Sequence, residues 1–566
     1  VTPPDRKGIL ELLDYGSDLE TPPFQRTFAW GRQQIDEFWA DLRRAIDGRP
    51  ADEYFLGLVV LDTANQIQDG QQRLATTLLF ASEISKRIEI VKAGGSHDAQ
   101  LATDATAAVA SALRQDPSTP LRISPQDQDV LLNRAGIRAD LSESTKRLDA
   151  ARSRIGRHLD ADLNARETPD ARLGRLKQWG TFLRTDAYVV VLRVPPKDAH
   201  NIFETLNTRG VRLSNGDLVK SHLISRATDT DLAIAKWNQV TDALKDEHGK
   251  YEKDLETFLL HFFGSRYAHT TKAEFFAAYR RATQKKDALS ALDELIENAK
   301  LYRTLAAPAE SEAAWSSIGS GTQEAIELFN ALGLKQLRYL LLAVLRDFGG
   351  KRSAKSARAK KRNAILKLTA WSIRGLVDGR TGGGDAERTY INGALGIHKG
   401  SFTTVADLKA HFRKNDMFTL DDGHFEERFR AFAFDRPNSH KRARAILYAL
   451  EYQKIARKSG LTPRDTLTVE HVLPKSPTEG QWSEFSEEDR ASYTYLLGNL
   501  LLIDGPSGAN DDLANKEWAD KKRLIKAWPQ QTPLTVEALR SRAWTKKVIS
   551  KRTSDLAKLA VKAWRA

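Results

Sequence analysis

Apolar positions along this chain follow two periods, and the change from one to the other divides it into three stretches. Up to about residue 228 the pattern is mixed. YFLGLVVLD (54–62) and AYVVVLRVP (187–195) are short apolar runs rich in β-branched residues, which predicts strands. Each feeds a helical pattern. QIQDGQQRLATTLLFASEISKRIEIV turns through Asp69-Gly70 into an amphipathic helix, and HNIFETLNTRG reads as a helix closed by Gly210. Between them, about 93–178, an Ala-, Asp- and Arg-rich stretch predicts helices with solvated faces. From about 229 to 455 the period is almost wholly helical (DLETFLLHFF, ALGLKQLRYLLLAVLRDFG, NAILKLTAWSIRGLV, RARAILYALEYQKIA), with RTGGGDAER (380–388) as a loop. From Leu461 onward strand-sized apolar pieces return, TLTVEHVL and LLGNLLLID. The fold class expected is mixed and mostly α. An α/β domain spans 1–228, and a C-terminal domain with a basic tail spans 456–566. The helical linking region between them, 229–455, belongs partly to the C-terminal domain.

Composition narrows the chemistry. No run approaches the ~18 apolar residues that span a bilayer, and VTPPDRKGIL lacks the basic and apolar regions of a secretion signal. With zero cysteines, disulfides, zinc knuckles, iron–sulfur clusters and thiol nucleophiles are excluded, so metal ligands must be His, Asn or carboxylate. A soluble cytoplasmic protein without a membrane partner is expected. The net charge of +13 favours a polyanionic partner. The excess is uneven: seven of the twelve residues from Lys351 to Arg362 are basic, and the tail from Lys546 is similar. Each run alone reads equally as a solvated helix face or as phosphate contacts.

Two segments carry candidate chemistry. DGQQR (69–73) packs an acid, a flexible turn, two amides and a guanidinium ahead of a helix. Helix N-terminal N–H groups and Arg73 can hold phosphate, Asp69 can hold a metal or polarise water, and Gln71 and Gln72 can position that water. A plain turn with a helix cap is the alternative. In PPFQRTFAW (22–30), Phe24, Phe28 and Trp30 alternate with polar residues beside Gln25 and Arg26. That is either a stacking surface for a base or an anchor of the N-terminal arm to the core.

Taken in order, PPFQRTFAW, YFLGLVVLD, IQDGQQRLATTL and IFETLNTRGVRLSNGDLVKSHLI resemble the DGQQR-motif domain of GmrSD-type type IV restriction enzymes, over most of residues 8–225. The resemblance implies a ParB/sulfiredoxin-like fold and nucleotide hydrolysis of GTP or UTP, with no P-loop motif present. It implies nucleotide-handling roles for Asp69, Gly70, Gln71, Gln72 and Arg73, joined by Asn207, Arg209 and Gly210. In SspE-like members the first segment is implicated in sensing phosphorothioate DNA, which here designates Phe24, Gln25, Arg26 and Trp30. Phe24 stands where the family commonly has Tyr, and Lys220-Ser221 where it often has Lys-Asn; neither change removes a charge.

The order TVEHVLPKSP, LGNLLLID, NDDLANKEWADKK (468–522) resembles HNH, or ββα-metal, nucleases, and the C-terminal domain of the same restriction family. On that template His471 is the general base, Glu470 a metal ligand and Asn499 the orienting amide. Asn515, opening the helix NKEWADKKRLI, is the second ligand, with Asn510 competing for that role and Lys516 or Lys521 near the phosphate. An Asn where the motif usually ends in His implies Mg²⁺ or Mn²⁺ over Zn²⁺. The combined expectation is a modification-dependent DNA endonuclease of anti-phage defence, nicking or cleaving. Its partners would be double-stranded DNA bearing phosphorothioate or glucosylated bases, a nucleotide, and a possible second copy of the chain. The rival from another class is a DNA-binding NTPase regulator whose HNH-like domain is inactive and serves for docking.

Overall fold

A computed structural model describes residues 5–14, 17–22, 25–48, 53–94, 98–113, 121–131, 142–195, 214–246, 251–350, 354–380, 383–415, 421–434, 439–455, 466–506 and 509–566. The chain is mostly helical with small sheets, and it divides into two compact units, Val1–Ile234 and Ala235–Ala566. Among the described residues no helix is long and apolar enough to cross a membrane.

The first unit contains strands β1 (Asp5–Gly8), β2 (Leu19–Glu20), β3 (Tyr54–Asp62), β4 (Ile67–Asp69), β5 (Leu121–Arg122) and β6 (Ala187–Val194). Its helices include α1 (Arg32–Ile46), α2 (Gln71–Ala93), α3 (Ala99–Leu113), α4 (Pro125–Leu131), α5 (Glu143–Asn164) and α6 (Pro169–Thr185). The mixed sheet runs β1–β6–β3–β4, with β6 and β3 parallel and the outer strands antiparallel to their neighbours. Along β6, Ala187, Val189 and Val191 are buried while Tyr188 and Val190 are half-buried, so the period of two turns one face to the core. Helix α2 is buried nearly all round, from Leu74 through Phe80 to Val91, because α3, α5 and α6 pack on it. Trp39 of α1 stacks on Phe80 and Trp179 at 5.5 and 5.0 Å. Both long strands expected from the apolar runs are present over nearly the same residues. The helix expected at HNIFETLNTRG lies outside the described residues.

Among its described residues the strands of the second unit are β7 (Thr468–His471) and β8 (Leu500–Ile503), an antiparallel pair in which Glu470 faces Leu501 and His471 faces Leu500; helices make up most of the rest. All four residues of β8 are buried. Leu500 and Leu502 enter a core shared with Phe425, Ile446, Leu450, Leu556 and Trp564, whereas Leu501 and Ile503 enter a second core with Trp482, Trp518 and Trp544. A strand covered on both faces reads as a continuous apolar run, which is why LLLI lacks alternation. The first of these cores draws side chains from both sides of residue 456. The loop expected over 380–388 is shorter: Gly383, at φ +102°, caps a helix Gly384–His398, and Asp385 and Glu387 sit in its first turn, where acids favour helix.

Candidate functional site

His471 ends β7, and three separate braces fix that end. Lys521, on the helix Trp518–Ala527, is fully buried; its Nζ donates to Glu470 Oε1 at 2.5 Å and to the His471 carbonyl at 2.8 Å. Asn499, also fully buried, accepts from Leu473 N (2.8 Å) and Trp544 Nε1 (3.0 Å) and donates to the Leu473 and Thr494 carbonyls (both 2.9 Å). Its amide is thus fully used, holding the turn that follows the histidine without touching the imidazole. Arg552, from the helix Lys546–Ala563, donates through Nη1 to the carbonyls of Leu497, Gly498 and Leu500, stapling the LGN turn from behind. A side chain at position 498 would collide with Thr553 and the Ile549 carbonyl, so only glycine lets that helix approach.

The His471 imidazole itself is left free. Neither ring nitrogen has a hydrogen-bond partner among the described residues, and the ring meets Tyr495 edge-to-face at 6.0 Å. Burial, reinforced by Lys475 and Lys521, pushes its pKa down to about 4. It is therefore neutral near pH 7, the state a proton acceptor needs. Burial raises the Glu470 carboxyl, and Lys521 opposes that rise.

Tyr495 and Lys475 also line a cavity of about 630 Å³ formed by the loop after β7 and the helix Glu487–Tyr493. Thr478 lines it too, and its hydroxyl accepts from Asn515 Nδ2 at 3.4 Å. Asn515 does not open a helix. It lies two residues before Glu517, which precedes the helix Trp518–Ala527, and its carbonyl accepts from Trp482 Nε1. Asn510 uses both ends of its amide on Thr468 and the Val469 carbonyl, whereas Asn515 Oδ1 has no partner among the described residues. Of the two asparagines, Asn515 keeps the free ligand atom. Lys521, expected near the phosphate, is instead a buried counter-ion, and Lys516 donates to the Asp512 carbonyl.

No three His, Cys, Asp or Glu side chains among the described residues come together to hold a metal ion. The donors on hand are one uncommitted oxygen of Glu470 and the amide oxygen of Asn515. So sparse a set of oxygens fits Mg²⁺ or Mn²⁺, which keep water and substrate phosphate in most positions, and does not fit a closed zinc site.

In the first unit, DGQQR serves largely as a clasp. Gly70 takes φ +101° to turn β4 into α2. Arg73 donates to the carbonyls of Leu56 (2.6 Å) and Leu58 (2.7 Å) and to Asp69 (3.1 Å). It fills a bulge at Gly57, φ +107°, where an added side chain would strike the guanidinium. Arg73 is thus committed to the sheet through both terminal nitrogens. Gln72 Oε1 accepts from Ala29 N and Trp30 N, and its Nε2 donates to the Thr27 carbonyl. Gln71 Nε2 donates to the Arg26 carbonyl, while its Oε1 is buried without a partner among the described residues. Buried Gln25 donates to the Gln68 carbonyl. Phe28 lies in the core and the half-buried Trp30 packs on Phe38 at 5.5 Å, so these two aromatics anchor the arm. Phe24, Asn207, Arg209 and Gly210 lie outside the described residues.

The free cations here are Arg26 and Lys220. Both are half-buried, neither has a hydrogen bond or salt bridge among the described residues, and burial lowers the pKa of each. Asp217 acts electrostatically on both, and Asp69 on Arg26. Asp217 is held by a reciprocal cap with Ser214 at the start of the helix Asn215–Ile224. Sequence reasoning left Asp217 and Lys220 out of the site. The spacing of Ser214, Asp217 and Lys220, each three residues on, could have placed both on one helix face.

The basic run is partly structural as well. Lys360, Lys361 and Arg362 donate to the carbonyls of Thr403, Leu345 and Ser320, which leaves Lys355 and Arg358 exposed. In the tail, Lys546 pairs with Asp489 and Lys551 with Asp555.

Comparison with known proteins matches residues 9–224 to the GmrSD restriction endonuclease N-terminal domain and residues 419–559 to the GmrSD restriction endonuclease C-terminal domain. No curated protein matches the chain. The two matches keep the order seen in the motifs, enclose both clusters described above, and together span more than half of the sequence: the chain belongs to the GmrSD family of restriction endonucleases.

Proposed function

We propose that this protein is a modification-dependent DNA endonuclease in which His471 is the general base and the first unit senses modified DNA and hydrolyses a nucleotide. The observation that carries the nuclease half is the free, neutral imidazole at a strand end braced on three sides and set beside a polar cavity. His471 takes a proton from the attacking water, and Asn499 and Arg552 keep the turn that carries it in place. In this reading the β7–β8 pair and the helix Trp518–Ala527 form a ββα site. Mg²⁺ or Mn²⁺, held by Glu470 and Asn515, would supply charge stabilisation at the scissile phosphate when bound. Lys475 adds positive charge beside the histidine.

For the first unit, Arg26 and Lys220 are the cations left to meet the phosphates of GTP or UTP, beside the α2 N-terminus and the unpartnered Gln71 carbonyl. Asp69 and Asp217, which act electrostatically on Arg26, are the carboxylates that would polarise water in this reading, and the ParB-like fold is part of the same proposal. Phosphorothioate is the mark we favour and glucosylated hydroxymethylcytosine the competitor, with Gln25 and Arg26 on the sensing segment. The inactive-domain reading is favoured by one observation, the tie between Glu470 and Lys521, which takes up half of a proposed ligand.

The deciding experiment compares parent and His471→Ala on unmodified, phosphorothioated and glucosylated plasmid, each with Mg²⁺ and with or without GTP, UTP or ATP. The nuclease reading expects the variant to lose nicking by about 10²–10⁴-fold. Equal nicking would refute the general base. No phosphate release from any nucleotide, with any DNA, would refute the NTPase.

A further inference from the structure

We propose that the cavity between Lys475 and Tyr495 receives a single nucleotide of the strand being cut, its base against Tyr495 and its phosphate toward Lys475 and Arg490. This rests on the nuclease reading above. The cavity's walls join the two ends of the reaction site: Tyr495 meets the His471 ring at 6.0 Å, and Thr478 bonds Asn515. A group held there is therefore one side chain away from the base, across Tyr495, and one from the proposed ligand, across Thr478. At about 630 Å³ it has room for one nucleotide and not for a run of them, within the ~300–1,000 Å³ usual for small-ligand pockets.

The chemistry of the walls points the same way. Lys475 is exposed, has no hydrogen bond or salt bridge among the described residues, and lies 5.9 Å from the Tyr495 ring centroid. Arg490 donates to the Phe485 carbonyl through Nη1, which fixes its guanidinium and leaves its other donors for a ligand. Glu479 and Glu487 share the wall with these cations. A trough meant only for backbone phosphates would exclude such carboxylates. A base edge uses them, because exocyclic amino groups donate to carboxylates. A half-buried aromatic ring beside the cations supplies the stacking surface. A cation, a ring and an acid within one small cavity match a nucleotide's phosphate, base plane and base edge.

The test places 2-aminopurine at successive positions of a short modified duplex and reads its fluorescence on binding to the full-length protein in the His471→Ala background, where cutting is absent. At one position the base should be quenched. Tyr495→Ala should lose that quenching at least two-fold, and Tyr495→Phe should keep it because the ring remains. Lys475→Ala, an exposed change, should raise the apparent Kd and reduce the slope of log affinity against log salt by about 1. In the cutting-competent protein, Tyr495→Ala should raise KM about ten-fold with a smaller change in kcat. No position quenched, or equal quenching in Tyr495→Ala and Tyr495→Phe, overturns the subsite. Nicking by His471→Ala equal to the parent overturns the nuclease reading instead, and the fluorescence result still stands or falls separately.

Discussion

Glu451 offers the sharpest test of the energetics in the second unit. It sits on the helix Ser439–Lys454 at 1 % exposure, with Oε2 accepting from Leu534 N at 2.8 Å. Burial raises its pKa from 4.5 to about 7, although hydrogen bonds from Thr532 and the Leu534 N–H, and then the charge of Arg552, oppose the shift. A folded-state value above the unfolded one means the native protein holds this proton more tightly. The contribution to stability is complete below pH 4.5 and is lost as pH rises through 7. From those two values, the loss between pH 5 and pH 8 is about 2–3 kcal/mol. Glu451→Gln keeps the shape and removes the titration, so the variant should gain that amount relative to the parent over the same interval. By size scaling, this corresponds to about 3–4 °C in the midpoint of the transition that melts residues 235–566. Calorimetric scans of both proteins at pH 5, 6, 7 and 8 measure it. Parallel curves, with a parent–variant difference constant to within about 1 °C, would show that Glu451 ionises alike in both states and refute the argument.

The other expectations concern the two clusters. Because His471 is held near 4, nicking should show no acid limb from this group between pH 8 and 5; a limb centred at 6–7 in the parent would contradict its burial. Arg73→Lys cannot bridge the Leu56 and Leu58 carbonyls with one ammonium, so the first unit should lose about 1–3 kcal/mol by denaturant titration, with or without nucleotide. Arg26→Lys should leave that midpoint unchanged while weakening nucleotide binding measured by calorimetric titration.

How far the sequence could be read depends on what each residue answers to. The strands Tyr54–Asp62 and Ala187–Val194 were legible because β-branched runs of that length have few other solutions. The strand Leu500–Ile503 was legible as an apolar run, but its division between two cores was not, since both faces demand the same residue type. The order of Glu470, His471, Asn499 and Asn515 was also visible. Their partners were not, because the distance in sequence from Asn499 to Trp544, or from Glu470 to Lys521, carries no local pattern. A lysine after a nuclease motif reads as a phosphate contact until the fold shows it sealed from solvent. The same limit misplaced Arg73, whose carbonyl partners lie on a bulge that only Gly57 hints at.

These misplacements share a cause, and it offers a rule for dividing both clusters. Asn499, Gln72 and Arg73 spend most of their side-chain donors and acceptors on backbone groups of the segments they hold, with Trp544 and Asp69 taking part of Asn499 and Arg73, and Lys521 is closed by Glu470 and a carbonyl. A polar group taken out of water and fully bonded is costly to disturb, and it has nothing left with which to bind a ligand. His471, Arg26, Lys220 and the oxygens of Gln71 and Asn515 are the opposite. They sit among the same elements and retain unmatched valences. Desolvating a group and leaving it unpaired is unfavourable for the free protein, so such groups persist where a bound partner offsets the cost. On this argument the asparagine and the DGQQR arginine build the frame, and the chemistry belongs to the residues that the frame leaves unsatisfied.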